Sequence, residues 1–198
     1  IEETDIRPAE QMWVDGAEGI PVHVFIVKPH GYEENKKYPL IINVHGGPQM
    51  QWMDSFRGDW QVYPGSGYVV AFFNPHGSTG YGSAYTEAIS RDWGGKVYED
   101  VMKVTEALEK LAYIDSNSVG AMGWSYGGFM MNFLQGQTKK FKCFASMMGI
   151  FDLESMWGAT EELWFVNWDL AGQPWNSELY NFLSPSNYVK NFSTPTLI

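Results

Sequence analysis

Short, almost wholly apolar runs separated by helical patterns constrain this chain more than any other feature. Pro39-Leu40-Ile41-Ile42-Asn43-Val44-His45 is one such run. Residues 67–74, 118–123 and 144–148 are others, and Thr196-Leu197-Ile198 opens a fifth. Strands apolar on both faces belong inside a sheet that helices cover on both sides. Between them, Val97, Val101, Val104, Leu108 and Leu111 recur at steps of three and four, with Glu99, Lys103, Glu106, Glu109 and Lys110 opposite. That spacing predicts an amphipathic helix. Residues 126–134 also read as helix, but apolar nearly all round, so this helix should be buried. Residues 158–170 predict a further helix. Residues 10–29 read as a β-hairpin turning at Asp15-Gly16-Ala17-Glu18-Gly19, and residues 30–38 as a polar loop. Alternating buried strands and helices predict an α/β fold with a mostly parallel sheet. No repeat or second domain interrupts residues 1–198.

Composition narrows the function. The formal charge is −10, which argues against nucleic acid and anionic membrane surfaces as partners. No apolar run approaches the roughly 18 residues of a membrane span. Aromatic residues make up 16% of the chain and charged residues only 18%, the reverse of a disordered composition. A single cysteine, Cys143, excludes an internal disulfide and leaves the compartment open. It reads as an inert residue entering a strand, because no base motif accompanies it.

Gly123-Trp124-Ser125-Tyr126-Gly127 matches G-x-S-x-G. It directly follows the strand at 118–122 and precedes the helix at 126–134, the strand–turn–helix setting of a nucleophile elbow. A sharp turn needs neighbours without Cβ atoms so that strand and helix can approach, and Gly128 extends that relief. Ser125 is then the candidate nucleophile and the Tyr126 amide one oxyanion donor. A second donor should follow an earlier strand. His45-Gly46-Gly47-Pro48 has that position, and Gly47 is the candidate because Pro48 has no N–H. His45 beside it reads as a structural hydrogen-bonding residue.

These motifs occur in a fixed order: Val44-His45-Gly46-Gly47-Pro48, Asn74-Pro75-His76-Gly77-Ser78-Thr79-Gly80-Tyr81-Gly82, Asp92-Trp93-Gly94-Gly95 with Glu99-Asp100, Gly123 to Gly128, Ser184-Pro185, and Thr194-Pro195-Thr196-Leu197-Ile198. Together they resemble the catalytic domain of the prolyl oligopeptidase family of serine peptidases, nearest its acylaminoacyl-peptidase and dipeptidyl-peptidase V branch. The resemblance runs from about Trp13 onward. One departure is His76, where many relatives carry Arg. The resemblance implies an α/β-hydrolase fold, an oligopeptide substrate, no cofactor and no metal. It also implies that acid and base follow the serine in chain order, whereas His23, His30, His45 and His76 all precede Ser125. Acid, base, and the strand and helix that complete the sheet are therefore expected beyond Ile198, and a β-propeller upstream of Ile1. The 198-residue chain is expected to be near-inactive alone. With an incomplete sheet it should expose core surface, need a partner segment, and be prone to homo-oligomerise.

Other residues have weaker claims. The resemblance places Trp164, Phe165 and Trp168, with Trp157 and Trp175, near the pocket for the residue preceding the scissile bond; a cap over the core is the other reading. Asp152 reads as a helix N-cap rather than a substitute acid. Glu161-Glu162 reads as a surface pair at a helix start, and Asp92, Glu99 and Asp100 as a helix start rather than a metal site. Residues 78–82 lack the Lys of a phosphate loop. A carboxylesterase of the same fold, and a non-catalytic interaction domain that keeps it, are the alternative functions. The N-P-H-G-S-T-G-Y-G stretch speaks for a peptidase, and the intact elbow for catalysis.

Overall fold

The computed structural model describes residues 5–198. Strands β1 (Glu10–Asp15) and β2 (Pro21–Val27) form the expected hairpin, paired antiparallel from Glu10↔Ile26 to Asp15↔Pro21. Its turn places Glu18 and Gly19 at φ 55° and 75°. β3 (Tyr38–Val44) and β4 (Val69–Asn74) follow, with helix α1 (Asp59–Gly65) between them. Then come α2 (Ser83–Glu87), α3 (Lys96–Glu109), β5 (Ile114–Trp124), α4 (Tyr126–Gln137) and β6 (Phe144–Met147). α5 (Leu153–Ala159), α6 (Leu163–Asp169), α7 (Leu179–Leu183) and β7 (Thr196–Leu197) end the chain.

The sheet order is β1-β2-β4-β3-β5-β6-β7. β2 pairs antiparallel with β4, and β4, β3, β5, β6 and β7 run parallel. β3 sits between β4 and β5, so the connections leave it toward opposite sides. Crevices at the carboxyl ends of strands form where the winding direction changes in this way.

Burial matches the apolar runs. Every residue of β4 is buried. One face of the sheet carries the main core, where Val97, Val101, Val104 and Leu108 of α3 meet Leu40, Ile42 and Val44. On the other face a smaller core under α1 joins Phe25, Phe72, Trp52 and Trp60, whose ring stacks on Phe72 at 3.5 Å. α4 is buried on nearly every side, as its composition predicts.

Two expectations need correction. β5 begins at Ile114, four residues before the run at 118, because Asp115 through Ser118 extend the strand as a polar lead-in. The helix expected over 158–170 is two helices, α5 and α6, separated at Thr160, whose extended backbone (φ −82°, ψ 147°) ends α5. α1 and α2 lack a long apolar period and are short enough to escape a periodicity argument.

Candidate active site

Ser125 occupies the sharp turn between β5 and α4 with φ 58° and ψ −117°. A non-glycine residue at such angles is strained and is held there by its surroundings. The Ser125 amide donates to the Met147 carbonyl at 2.9 Å, and its carbonyl accepts from the Phe129 amide at 2.9 Å. The glycines have steric reasons. A Cβ on Gly127 would lie 2.1 Å from the Val44 carbonyl oxygen, and one on Gly123 would lie 2.3 Å from Gly127. Gly128 packs as closely against Gly149, where Ser146 Oγ donates to the Gly128 carbonyl at 3.0 Å. The elbow therefore exists because three backbones meet with no side chain between them.

Tyr126 opens α4, so its amide has no carbonyl four residues back in the helix. Its buried phenol donates to the Trp93 carbonyl at 2.6 Å. Burial, aided by the nearby carboxylates Asp92, Asp100 and Asp169, pushes that phenol far above its ordinary range, so it stays a neutral donor. The loop after β3 lies directly against the nucleophile: a Cβ on Gly46 would be 3.2 Å from Ser125 Cβ. Gly47 is exposed at φ 117°, and the Gly47–Pro48 bond is cis. Among the described residues the Gly47 amide donates to no protein acceptor. Nucleophile and candidate oxyanion donors thus converge at the carboxyl ends of β3 and β5. A cleft of about 500 Å³ opens on the α1 side of these strand ends, lined among others by Asn43, His45, Trp52, Tyr63, Trp124 and Met147; Ser125, Tyr126 and Gly47 do not line it.

The histidines are engaged elsewhere. His23 stacks on Trp13 at 4.4 Å and bonds to Tyr81 Oη and Gln11 Oε1. His30 faces Gln61. Buried His76 contacts Asp100 through Nδ1 at 2.7 Å. His45 contacts Gly46 and Ser78. Among the described residues no hydrogen bond joins Ser125 Oγ to an imidazole, and no group of three metal-ligating side chains forms. Asp152 caps α5, accepting from the Ser155 amide at 2.8 Å and from Ser186 Oγ at 2.8 Å. The Ser155 amide leads in holding its carboxyl below the usual range.

The aromatic residues after the elbow separate. Phe165 packs on Trp93 at 5.8 Å, against the core. Trp164 and Trp168, one turn apart on α6, are 75% and 72% exposed. None of the three lines the cleft on the α1 side of the sheet.

Two buried carboxylates carry structural roles that composition does not announce. Asp100 accepts from the Ala17 amide and from the His76 amide and Nδ1, each at 2.7 Å, so it ties the hairpin turn to the loop after β4. Asp92, which accepts from the Gly95 and Lys96 amides, and Glu99, in the first turn of α3, act as the expected helix start. Asp169 accepts from Trp93 Nε1 at 2.9 Å and Gln49 Nε2 at 3.3 Å, joining α6 to the loop that carries Gly47. An acid inside the apolar stretch 163–170 was the available signal for Asp169.

Comparison with known proteins places this geometry. A profile described as the prolyl oligopeptidase family matches residues 40–198. The chain is 40% identical over 195 residues to Dipeptidyl-peptidase 5 of Schizosaccharomyces pombe, covering 96% of this chain and 29% of that protein. It is 42% identical over 203 residues to Dipeptidyl-peptidase 5 of Arthroderma otae, covering 98% of this chain and 27% of that protein. The solved Pyrococcus horikoshii acylaminoacyl peptidase superposes with a TM-score of 0.93 at 26% identity, over 98% of this chain and 32% of that one. The chain thus spans less than a third of the length of these relatives.

Proposed function

This chain belongs to the prolyl oligopeptidase family of serine peptidases, and from that premise we propose that it carries the nucleophile and oxyanion site of a peptidase acting near the N-terminus of oligopeptides. Ser125 Oγ attacks the scissile carbonyl carbon and forms an acyl-enzyme. A general base takes the Ser125 Oγ proton, its conjugate acid gives that proton to the leaving amine, and the base then activates the water that releases the acyl group. The Gly47 and Tyr126 amides hold the oxyanion in both steps. Acid and base come from sequence outside these residues. The reading is supported above all by the strained φ of Ser125, at a strand–helix turn against which the Gly46–Gly47 loop packs. Trp164 and Trp168 would face the substrate side when the rest of the protein encloses them.

Without a base the serine is a poor nucleophile, and loss of triad members costs on the order of 10⁶ in turnover. The 198 residues alone should therefore hydrolyse dipeptidyl-naphthylamides and N-acyl peptides barely above background, whereas a longer protein carrying them should hydrolyse one of the two classes and lose that activity on Ser125→Ala. Robust hydrolysis by the 198 residues would refute the supply of the base from elsewhere. Activity of the longer protein that survives Ser125→Ala would refute the nucleophile. Ala at Trp164 or Trp168 should change preference among residues preceding the scissile bond; equal losses for all of them would leave only a capping role.

A further inference from the structure

His45 is 2% exposed, at the end of β3. Its Nδ1 lies 2.7 Å from the Gly46 carbonyl oxygen, and its Nε2 lies 2.9 Å from Ser78 Oγ. The Gly46 carbonyl belongs to the same peptide plane as the Gly47 amide. That peptide is trans, since Gly47–Pro48 is the one cis bond among the described residues. In a trans peptide C=O and N–H point in opposite directions. Whatever holds the Gly46 carbonyl therefore also sets the direction of the Gly47 N–H. Two successive glycines leave that plane free to rotate, because neither flanking residue has a Cβ to restrict it.

The hydrogen inventory fixes the tautomer. A carbonyl only accepts, so Nδ1 must carry the proton. Burial holds the imidazole down to about 4, so at neutral pH the ring carries that one proton and Nε2 is an acceptor. Ser78, wholly buried in the loop after β4, supplies the donor for Nε2. Its hydroxyl also lies 2.6 Å from the Pro75 carbonyl oxygen, so one proton is divided between two acceptors. Trp52 closes the remaining side with an edge contact at 5.9 Å.

We propose that His45 is a positioning residue for the reaction: its Nδ1–H, oriented from behind by Ser78, locks the Gly46–Gly47 peptide with the Gly47 N–H aimed at the oxyanion. The inference rests on the assignment of Gly47 as an oxyanion donor.

Asn and Gln substitutions separate this role from packing. Asn places an amide donor near the position of Nδ1, whereas Gln reaches toward that of Nε2 and is nearer His in volume. In the longer protein that carries this chain, His45→Gln should lower kcat by roughly 10²–10³, the loss typical of one oxyanion donor, with KM changed less than about threefold. His45→Asn should retain at least about ten times the kcat of His45→Gln. A second readout needs no turnover. In the 198-residue chain, imidazole nitrogen shifts should show His45 protonated at Nδ1 at pH 7. A kcat for Gln equal to or above that for Asn overturns the proposal, as does an Nε2-protonated ring. Ser125→Ala run alongside distinguishes the two readings. Activity surviving it removes the nucleophile assignment and this inference with it. Activity abolished by it, with Asn and Gln alike, removes this inference alone.

Discussion

At the scale of single residues, the site depends on groups that are buried and few. His45 shows the thermodynamic consequence. Burial lowers its pKa from 6.5 to about 4, and the hydrogen bond to Gly46 opposes that only partly. The unfolded chain then takes up a proton between those values that the folded chain refuses. The folded state loses stability as pH falls through that window, by on the order of 3 kcal/mol. His45→Asn removes the titration. Urea midpoints measured at pH 7 and pH 4.5 should fall further for the parent chain than for this variant, and equal falls would place the acid sensitivity elsewhere. Ser125 and its neighbours were readable from sequence because the glycines at 123, 127 and 128 are a local signature of a turn. Asp100, Asp169 and Ser78 were not. Their partners lie 24 or more residues away for Asp100, 76 or more for Asp169 and 33 for the Ser78–His45 pair, so no window of sequence contains both ends. His76, which departs from the Arg of many relatives, proved to pair with Asp100.

At the scale of elements, helix and strand contact depends on backbone approach as much as on apolar area. Gly127→Ala drives a Cβ into the Val44 carbonyl at 2.1 Å, where no flexible side chain can yield. It should destabilise the chain at the upper end of the ~1–3 kcal/mol typical of overpacking. Gly158 lies within α5 with nothing within 4 Å of an added Cβ. There the same substitution should stabilise by up to ~1 kcal/mol through helix propensity. Thermal melts of the two variants should shift in opposite directions, and a shift in the same direction would refute the close-approach account. The buried strands were legible as continuous apolar runs, and the amphipathic α3 through its strong three-and-four spacing. α6 starts after the polar run Thr160-Glu161-Glu162 rather than at 158, because the extended backbone at Thr160 ends α5 there.

At the scale of the whole molecule, the two faces of the sheet are unequal. α1 covers the face under β2, β4 and β3. Beyond it, on that same face of β5, β6 and β7, Trp124 is 50% exposed, Met147 36% and Leu197 74%. A contiguous apolar face of this kind favours association. The purified 198 residues should bind a hydrophobic dye and scatter light as more than a monomer, and a monodisperse, dye-silent monomer would contradict this. The sequence by itself determined the α/β class, the order of buried strands, the elbow at Ser125 and the glycine loop at Gly47, because each is written in consecutive residues whose local geometry is nearly obligatory. Only the tertiary structure decided that His45 and Ser78 hold that loop, that Asp169 ties it to α6, and that Trp164 and Trp168 face solvent while Phe165 faces the core. Those outcomes depend on which distant segments share a sheet end, and burial and hydrogen-bond partners are properties of that shared space rather than of the residues alone.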